Sequence, residues 1–154
     1  ALRAFVTDHH RCEPVTVVSG IEYIDDSKGT NIGATVAALQ GLGRRAVLIA
    51  GGVGKDQDFS LLAPAVAAHA RAVVLIGRDA PILRAALADT GVALEDAADM
   101  DAAVRAGARL AQAGDVVLLS PACASFDMFR GYDHRGEVFA AAVRAMAEEA
   151  GQPC

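Results

Sequence analysis

Two hydrophobic periods alternate along the chain. Short runs of aliphatic and β-branched residues at 15–18, 23–24, 46–49, 72–76 and 116–119 predict strands. The runs from residue 46 onward are continuous rather than alternating, which is typical of strands buried on both faces. Between the runs, Ala- and Leu-rich stretches with helical spacing predict helices at 31–42, 60–70, 80–88, 100–113 and about 136–150.

Repeated strand–helix alternation predicts a parallel α/β sheet. The first two strands are joined by only residues 20–22, which is too short for a parallel crossover, so they must form a hairpin. We therefore expect a Rossmann-like open sheet that is mainly parallel, with one antiparallel strand near the N-terminus and helices on both faces. Ser60 is expected to cap the second helix. No element is assigned to residues 90–99.

Composition limits the classes of partner. The 154 residues suffice for one domain with a single core, and 53% hydrophobic against 21% charged residues excludes a disordered chain. A net charge of −5 argues against a nucleic-acid partner. The apolar stretch at 63–76 is interrupted by His69 and Arg71, so we expect no membrane segment. Three cysteines without a C-x-x-C pair argue against disulfides and structural zinc, and favour the cytoplasm.

Three loops of unusual composition follow predicted strands. We call residues 25–31 (DDSKGTN) the first loop, residues 51–56 (GGVGKD) the second loop and residues 120–127 (SPACASFD) the third loop. In an open parallel sheet, ligands bind beyond the carboxyl ends of the strands. All three loops should therefore open on one edge of the sheet and form a single site.

Each loop also has a purely structural interpretation. The second loop does not match the P-loop pattern, because Asp56 follows Lys55 where Ser or Thr is required and Ile49 stands at the first Gly position. Two interpretations of this loop remain: a tight turn, or a binding site for an anion. In the first loop, Thr30 or Asn31 is expected to cap a helix. A cation at Lys28 is unfavourable near a helix N-terminus unless an anion binds there.

Two other kinds of site are not expected. Cys123 has no histidine nearby in the sequence, so we do not expect it to be a nucleophile. The chain has four histidines, and their spacing is not that of metal ligands: His9, His10, His69 and His134. Most of them are expected at the surface, and no metal site is expected in this chain.

Together, the first loop, Gly51-Gly52 with Lys55, and residues 120–129 with Tyr132, Arg135, Gly136 and Phe139 resemble the C-terminal domain of the Mur ligases. The resemblance implies ATP-dependent amide formation through an acyl phosphate, with the P-loop and the Mg²⁺ ligands on a central domain. It implies that residues 1–11 are the junction from that domain and that residues 12–154 are one C-terminal domain. Such a fragment of a longer polypeptide should be inactive alone.

The resemblance also implies roles for individual residues. Asp26 would accept hydrogen bonds from the ribose hydroxyls of ATP, and Lys28 and Arg11 would face its phosphates. The family members that this chain resembles add D-glutamate to UDP-N-acetylmuramoyl-L-alanine. We expect a monomer.

The D-glutamate pocket is implied in the same way. Thr30 and Lys55 would bind one carboxylate, Ser125 and the backbone at Phe126 would bind the other from a helix start, and Tyr132 would line the pocket. Two alternatives stay open: a Mur-type ligase that adds another amino acid, and a stand-alone Rossmann-like binding module.

Overall fold

The computed structural model describes residues 10–54, 56–125 and 128–151. Within these residues there are six strands: β1 Glu13–Val18, β2 Ile21–Asp25, β3 Ala46–Gly51, β4 Ala70–Ile76, β5 Ala93–Asp96 and β6 Val116–Leu119. The α-helices are α1 Ile32–Leu42, α2 Ala63–His69, α3 Ala80–Leu87, α4 Met100–Leu110 and α5 Tyr132–Glu149. Short 3-10 turns span Phe59–Leu62 and Ala88–Thr90.

The six strands form one sheet in the order β1-β2-β6-β3-β4-β5. Only the β1–β2 pair is antiparallel, and the other four pairs are parallel. Ser19 and Gly20 join β1 to β2 with φ angles of 54° and 80°, in the left-handed region that two-residue hairpin turns use. The hairpin and the mainly parallel sheet predicted from the sequence are confirmed.

Helices cover both faces of the sheet. Leu48 and Leu118 belong to the core cluster that α1, α2 and α3 complete. Their neighbours Val47 and Val117 belong to the opposite cluster, which α4 and α5 complete. Successive side chains of a strand point to opposite faces, so continuous apolar runs serve both clusters at once. The Rossmann-like architecture predicted from the sequence is therefore confirmed.

Several boundaries differ from the predictions. β5 lies in the unassigned stretch, and it is an edge strand whose residues are exposed or half-buried, so it carries no hydrophobic pattern. The second helix begins at Ala63 rather than residue 60, because a 3-10 turn precedes it. Asp58 caps that turn by accepting a hydrogen bond from the Ser60 N–H, so the expected cap by Ser60 is wrong. α4 ends at Leu110 and α5 starts at Tyr132, both earlier than predicted.

The length and polarity of the helices bear on membrane insertion. Among the described residues, no helix is both long enough and apolar enough to span a bilayer.

Candidate functional site

The three loops meet at one edge of the sheet. They follow β2, β3 and β6, which are parallel neighbours, so their carboxyl ends point the same way. The Ala122 N–H of the third loop donates to the Gly29 carbonyl of the first at 2.9 Å. Val53 of the second loop and Ala124 of the third exchange two backbone hydrogen bonds of 2.9 Å. The convergence predicted from strand order is confirmed, and the loops form one hydrogen-bonded unit.

A cavity of about 330 Å³ lies between the first loop and α1. The three residues expected to bind ATP all line it, together with alanines of α1: Arg11, Cys12, Asp26, Lys28, Gly29, Ala34, Ala37 and Ala38. The cavity thus combines an apolar wall with two cationic side chains and one carboxylate. That combination suits a ligand with an apolar part and anionic groups.

Asp26 is the most buried of these three residues, with 4% of its surface exposed. Its Oδ1 accepts a hydrogen bond from the Cys12 N–H at 3.1 Å, and its Oδ2 accepts one from the Ser120 hydroxyl at 2.7 Å. Burial raises the pKa of Asp26, and the Ser120 and Cys12 hydrogen bonds oppose that rise. An ionised carboxylate has about four acceptor positions, so Asp26 can receive a ligand hydroxyl in addition to its protein partners.

Lys28 and Tyr132 connect the two expected subsites. The Lys28 ammonium lies 5.8 Å from the centroid of the Tyr132 ring, within the range of a cation–π contact. Tyr132 is the first residue of α5 and is 38% exposed. The structure therefore brings a residue expected to face phosphate against one expected to line the D-glutamate pocket.

Thr30 and Asn31 end the first loop. The Thr30 N–H donates to the Lys28 carbonyl at 2.9 Å in a tight turn, and Thr30 is half-buried. Asn31 caps α1, because its side chain accepts a hydrogen bond from the Ala34 N–H at 2.9 Å. Of the two caps considered from the sequence, Asn31 is the one used.

The described residues directly after Ser125, from Met128 to Gly131, form turns and bends rather than an α-helix. Ser125 is buried, and its carbonyl accepts hydrogen bonds from the Met128 and Phe129 N–H groups at 3.2 and 2.9 Å. Among the described residues after Ser125, the next α-helix begins at Tyr132, so a helix start at Phe126 stays a prediction. Phe126 and Lys55, both expected to bind D-glutamate, lie outside the described residues.

The glycines of the second loop allow close backbone approach. A Cβ at Gly51 would lie 1.8 Å from the Ile76 carbonyl oxygen, and one at Gly52 would lie 2.2 Å from that of Ala124. Both residues also have φ near +135°, which L side chains rarely adopt. These glycines therefore fit the loop between β4 and the third loop, whatever it binds.

A fourth loop at the same edge was missed in the sequence. Asp79, just after β4, accepts a hydrogen bond from the Gly54 N–H at 2.7 Å. A hydrogen bond from Arg78 is the main reason that the pKa of Asp79 is lowered, and the Gly54 bond adds to it. The sequence feature that could have revealed this loop is the polar Gly-Arg-Asp segment directly after a continuous apolar run. Asp79 anchors the segment of the second loop that leads to Lys55.

Two further buried groups, which sequence reasoning did not place, lie beside the first turn of α5. Arg135 is 1% exposed and donates to Ser27 and to the Cys123 carbonyl. Most of the histidines were expected at the surface, but His10 is only 3% exposed, and its Nδ1 lies 2.5 Å from Asp25 Oδ2. That pairing crosses the β-hairpin, so no local spacing could reveal it.

His10 and Asp25 also belong to the one potential metal cluster among the described residues. Their possible ligand atoms and that of Glu13 lie within 4.8 Å of one another. The His10–Asp25 bond and the 3.0 Å bond from the His10 N–H to Glu13 account for this geometry. We assign no ion to the cluster.

Comparison with known proteins bears directly on this site. The family model of the Mur ligase, glutamate ligase domain, matches residues 10–123. UDP-N-acetylmuramoylalanine–D-glutamate ligases of Ralstonia nicotianae and Burkholderia mallei are 64% and 63% identical over 150 residues, which is 97% of this chain. The chain spans about 30% of the length of these relatives.

Solved structures share the fold at low sequence identity. The UDP-N-acetylmuramate–alanine ligase of Thermotoga maritima superposes with a TM-score of 0.62 at 15% identity, over 90% of this chain and 30% of that one. The folylpolyglutamate synthase of Mycobacterium tuberculosis, solved with ADP, gives 0.63 at 16% identity, over 92% and 32%. At such identities the likeness shows the fold alone.

Proposed function

Because this chain belongs to the Mur ligase family as a glutamate ligase domain, we propose that it serves an ATP-dependent ligase that adds D-glutamate to UDP-N-acetylmuramoyl-L-alanine. In this proposal residues 12–154 are the C-terminal domain and residues 1–11 are the junction to a central domain. The observation that carries it is the single cavity lined by Arg11, Asp26 and Lys28 beside Tyr132. The names of the relatives at 63–64% identity support D-glutamate as the amino acid.

The cavity is assigned to the nucleotide. Asp26, which Ser120 and the Cys12 N–H hold in place, would accept hydrogen bonds from the ribose hydroxyls. Lys28 and Arg11 would face the phosphates, which offsets the unfavourable placement of Lys28 before α1. The alanines of α1 supply an apolar wall.

The D-glutamate pocket is assigned to the neighbouring loops. Thr30 and Lys55 would bind one carboxylate, and Ser125 with the backbone at Phe126 would bind the other. Tyr132 would line the pocket from the start of α5. The Lys28–Tyr132 contact supports this placement, since an amino group that attacks a phosphorylated carboxylate must lie beside the transferred phosphate.

The reaction would proceed in two steps. The terminal phosphoryl group of ATP passes to the carboxylate of UDP-N-acetylmuramoyl-L-alanine, giving an acyl phosphate and ADP. The amine of D-glutamate then attacks the acyl carbon, so that the amide bond forms, phosphate leaves and the amine loses a proton. Within the described residues, this domain's part is to bind and orient ATP and the amino acid.

Mg²⁺ would act with ATP, but its ligands do not fit this domain. The cavity offers two cations and one carboxylate, whereas Mg²⁺ prefers several oxygen ligands. We therefore place the metal ligands and the P-loop on the rest of the protein, and the isolated chain would not turn over ATP. We further propose that the full protein acts in the cytoplasm as a monomer.

Phosphate release by the full-length protein tests the proposal. The protein would be given ATP, Mg²⁺ and UDP-N-acetylmuramoyl-L-alanine with D-glutamate, L-glutamate, L-lysine or diaminopimelate in turn. We expect release with D-glutamate alone. Release with another amino acid would keep the family and overturn the pocket assignment, and release with none would favour a binding module.

Two substitutions separate the subsites. Lys55→Ala removes one charge-assisted contact of about 1.5–3 kcal/mol, so the KM for D-glutamate should rise about 10- to 100-fold, and the KM for ATP much less. Asp26→Asn should show the opposite pattern. Arg84→Ala is the matched control, since Arg84 pairs with Asp96 on the surface, and it should change neither constant. Equal changes in both constants would contradict the two roles.

A further inference from the structure

We propose that Arg135 is a positioning residue that couples the nucleotide cavity to the D-glutamate pocket. It would do so by holding the first and third loops at a fixed separation. The inference rests on the function proposed above and extends it to a residue that has no role there.

The guanidinium of Arg135 reaches both loops from the first turn of α5. Its Nε donates to the Ser27 hydroxyl at 3.0 Å and its Nη2 to the Ser27 carbonyl at 2.7 Å. Its Nη1 donates to the Cys123 carbonyl at 2.9 Å. The planar guanidinium places these donors in a rigid fork, which the single ammonium of lysine does not reproduce.

Ser27 stands between the two residues assigned to ATP, Asp26 and Lys28. Its N–H donates to Asp25 Oδ1 at 2.9 Å, and its hydroxyl donates to the Tyr132 carbonyl at 2.5 Å. With the two bonds from Arg135, Ser27 is held on its N–H, its hydroxyl and its carbonyl. A shift of Ser27 would therefore move the ribose acceptor and the phosphate-facing cation together.

The remaining donor of the Arg135 guanidinium, Nη1, holds the third loop. The Cys123 carbonyl lies two residues before Ser125, and the intervening Ala124 pairs with Val53 of the second loop. Cys123 is fully buried. Arg135 thus fixes the distance between the two subsites, and through Ala124 it also supports the segment that precedes Lys55.

A purely structural role predicts a different kinetic result. If Arg135 only stabilised the fold, its loss would reduce the fraction of active protein, and so kcat, without changing either KM. If Arg135 sets the separation of the loops, both ligands bind less well, because misplacing their binding groups weakens each site. The division between KM and kcat therefore distinguishes the two roles.

Arg135→Lys in the full-length protein is the first variant to measure. It keeps the charge but loses the fork, and we expect the KM for ATP and the KM for D-glutamate to rise together by about 10-fold or more. Arg144→Lys is the matched control on the exposed part of α5 and should leave both constants unchanged. An Arg135→Lys variant with both constants unchanged, or with only one raised, would overturn the coupling.

Two further measurements keep the test decisive. If Arg135→Lys does not fold, as judged by circular dichroism, Ser27→Ala removes only the hydroxyl that Arg135 and Tyr132 share. Ser27→Ala should raise both constants by a smaller factor, and unchanged constants would again refute the proposal. The wild-type protein is assayed first. If it uses an amino acid other than D-glutamate, the proposed specificity is wrong, but the effect of Arg135→Lys on both KM values can still be measured with the amino acid that the protein uses.

Discussion

Gly136 on α5 gives a sharp test of how the site packs. A Cβ at this position would lie 2.3 Å from His10 Nδ1 and 2.6 Å from Asp25 Oδ2. The side chains of His10 and Asp25 are only 4% and 3% exposed and lie 2.5 Å from each other, so neither can move away without breaking the pair. Gly136→Ala should therefore destabilise the domain although alanine is the better helix former.

The expected magnitude combines three effects. Overpacking costs about 1–3 kcal/mol. Disrupting a buried hydrogen bond to a carboxylate costs about 1.5–3 kcal/mol. Replacing glycine by alanine within a helix returns about 1 kcal/mol. The net loss is about 1.5–5 kcal/mol. For a domain of this size each kcal/mol shifts Tm by about 2–4 °C. Tm should therefore fall by about 3–20 °C.

Two other helix glycines serve as controls in the same thermal unfolding experiment. A Cβ at Gly41 of α1 would meet nothing within 4 Å, so Gly41→Ala should raise Tm by about 1–4 °C. A Cβ at Gly107 of α4 would lie 3.0 Å from Val117 Cγ1, so the Tm of Gly107→Ala should lie between those of the other two variants. If Gly136→Ala melts at or above the wild type while Gly41→Ala melts higher, the described packing of His10 and Asp25 is wrong.

Two predictions concern titrating groups. Burial opposes the ionisation of Asp115, but hydrogen bonds from Arg71 and the Gln112 N–H prevail and lower its pKa. Because its pKa is lower in the folded state, Asp115 stabilises the fold at pH values above its unfolded-state pKa of about 4, and this stabilisation is lost as the pH falls through the lowered pKa. The urea midpoint of Asp115→Asn should therefore lie below that of the wild type at pH 7, and the two midpoints should converge as the pH falls below about 4. Burial, with Asp26 nearby, raises the pKa of the Cys12 thiol to about 11. Alkylation of Cys12 at pH 8.5, followed by mass spectrometry, should be at least about 10-fold slower than that of a free cysteine, and an equal rate would contradict this environment.

The sequence predicted the parts of the fold that local patterns encode. Continuous apolar runs marked the buried strands, and the three-residue connection fixed the first pair as a hairpin. β5 was missed because an exposed edge strand has no apolar pattern, and the expected cap by Ser60 was wrong because Asp58 lies closer to the true start of the turn.

Part of the candidate site could also be predicted from the sequence, and part could not. Because parallel strands align their carboxyl ends, loop composition placed Asp26 and Lys28 at one edge of the sheet. The family resemblance added Arg11, and the structure gathers all three residues around one cavity. The roles of Lys55 and Ser125 stay predictions.

Only the tertiary structure decided which groups meet. His10 pairs with Asp25 across 15 residues, and Arg135 reaches Ser27 across 108. The first contact exists because β1 pairs antiparallel with β2, which brings the residues before β1 to the end of β2. The second depends on β6 pairing with β2, which places the first and third loops side by side. Hydrophobic periodicity records whether a residue is buried, but it does not record strand order, and strand order determines the partner of a buried polar group.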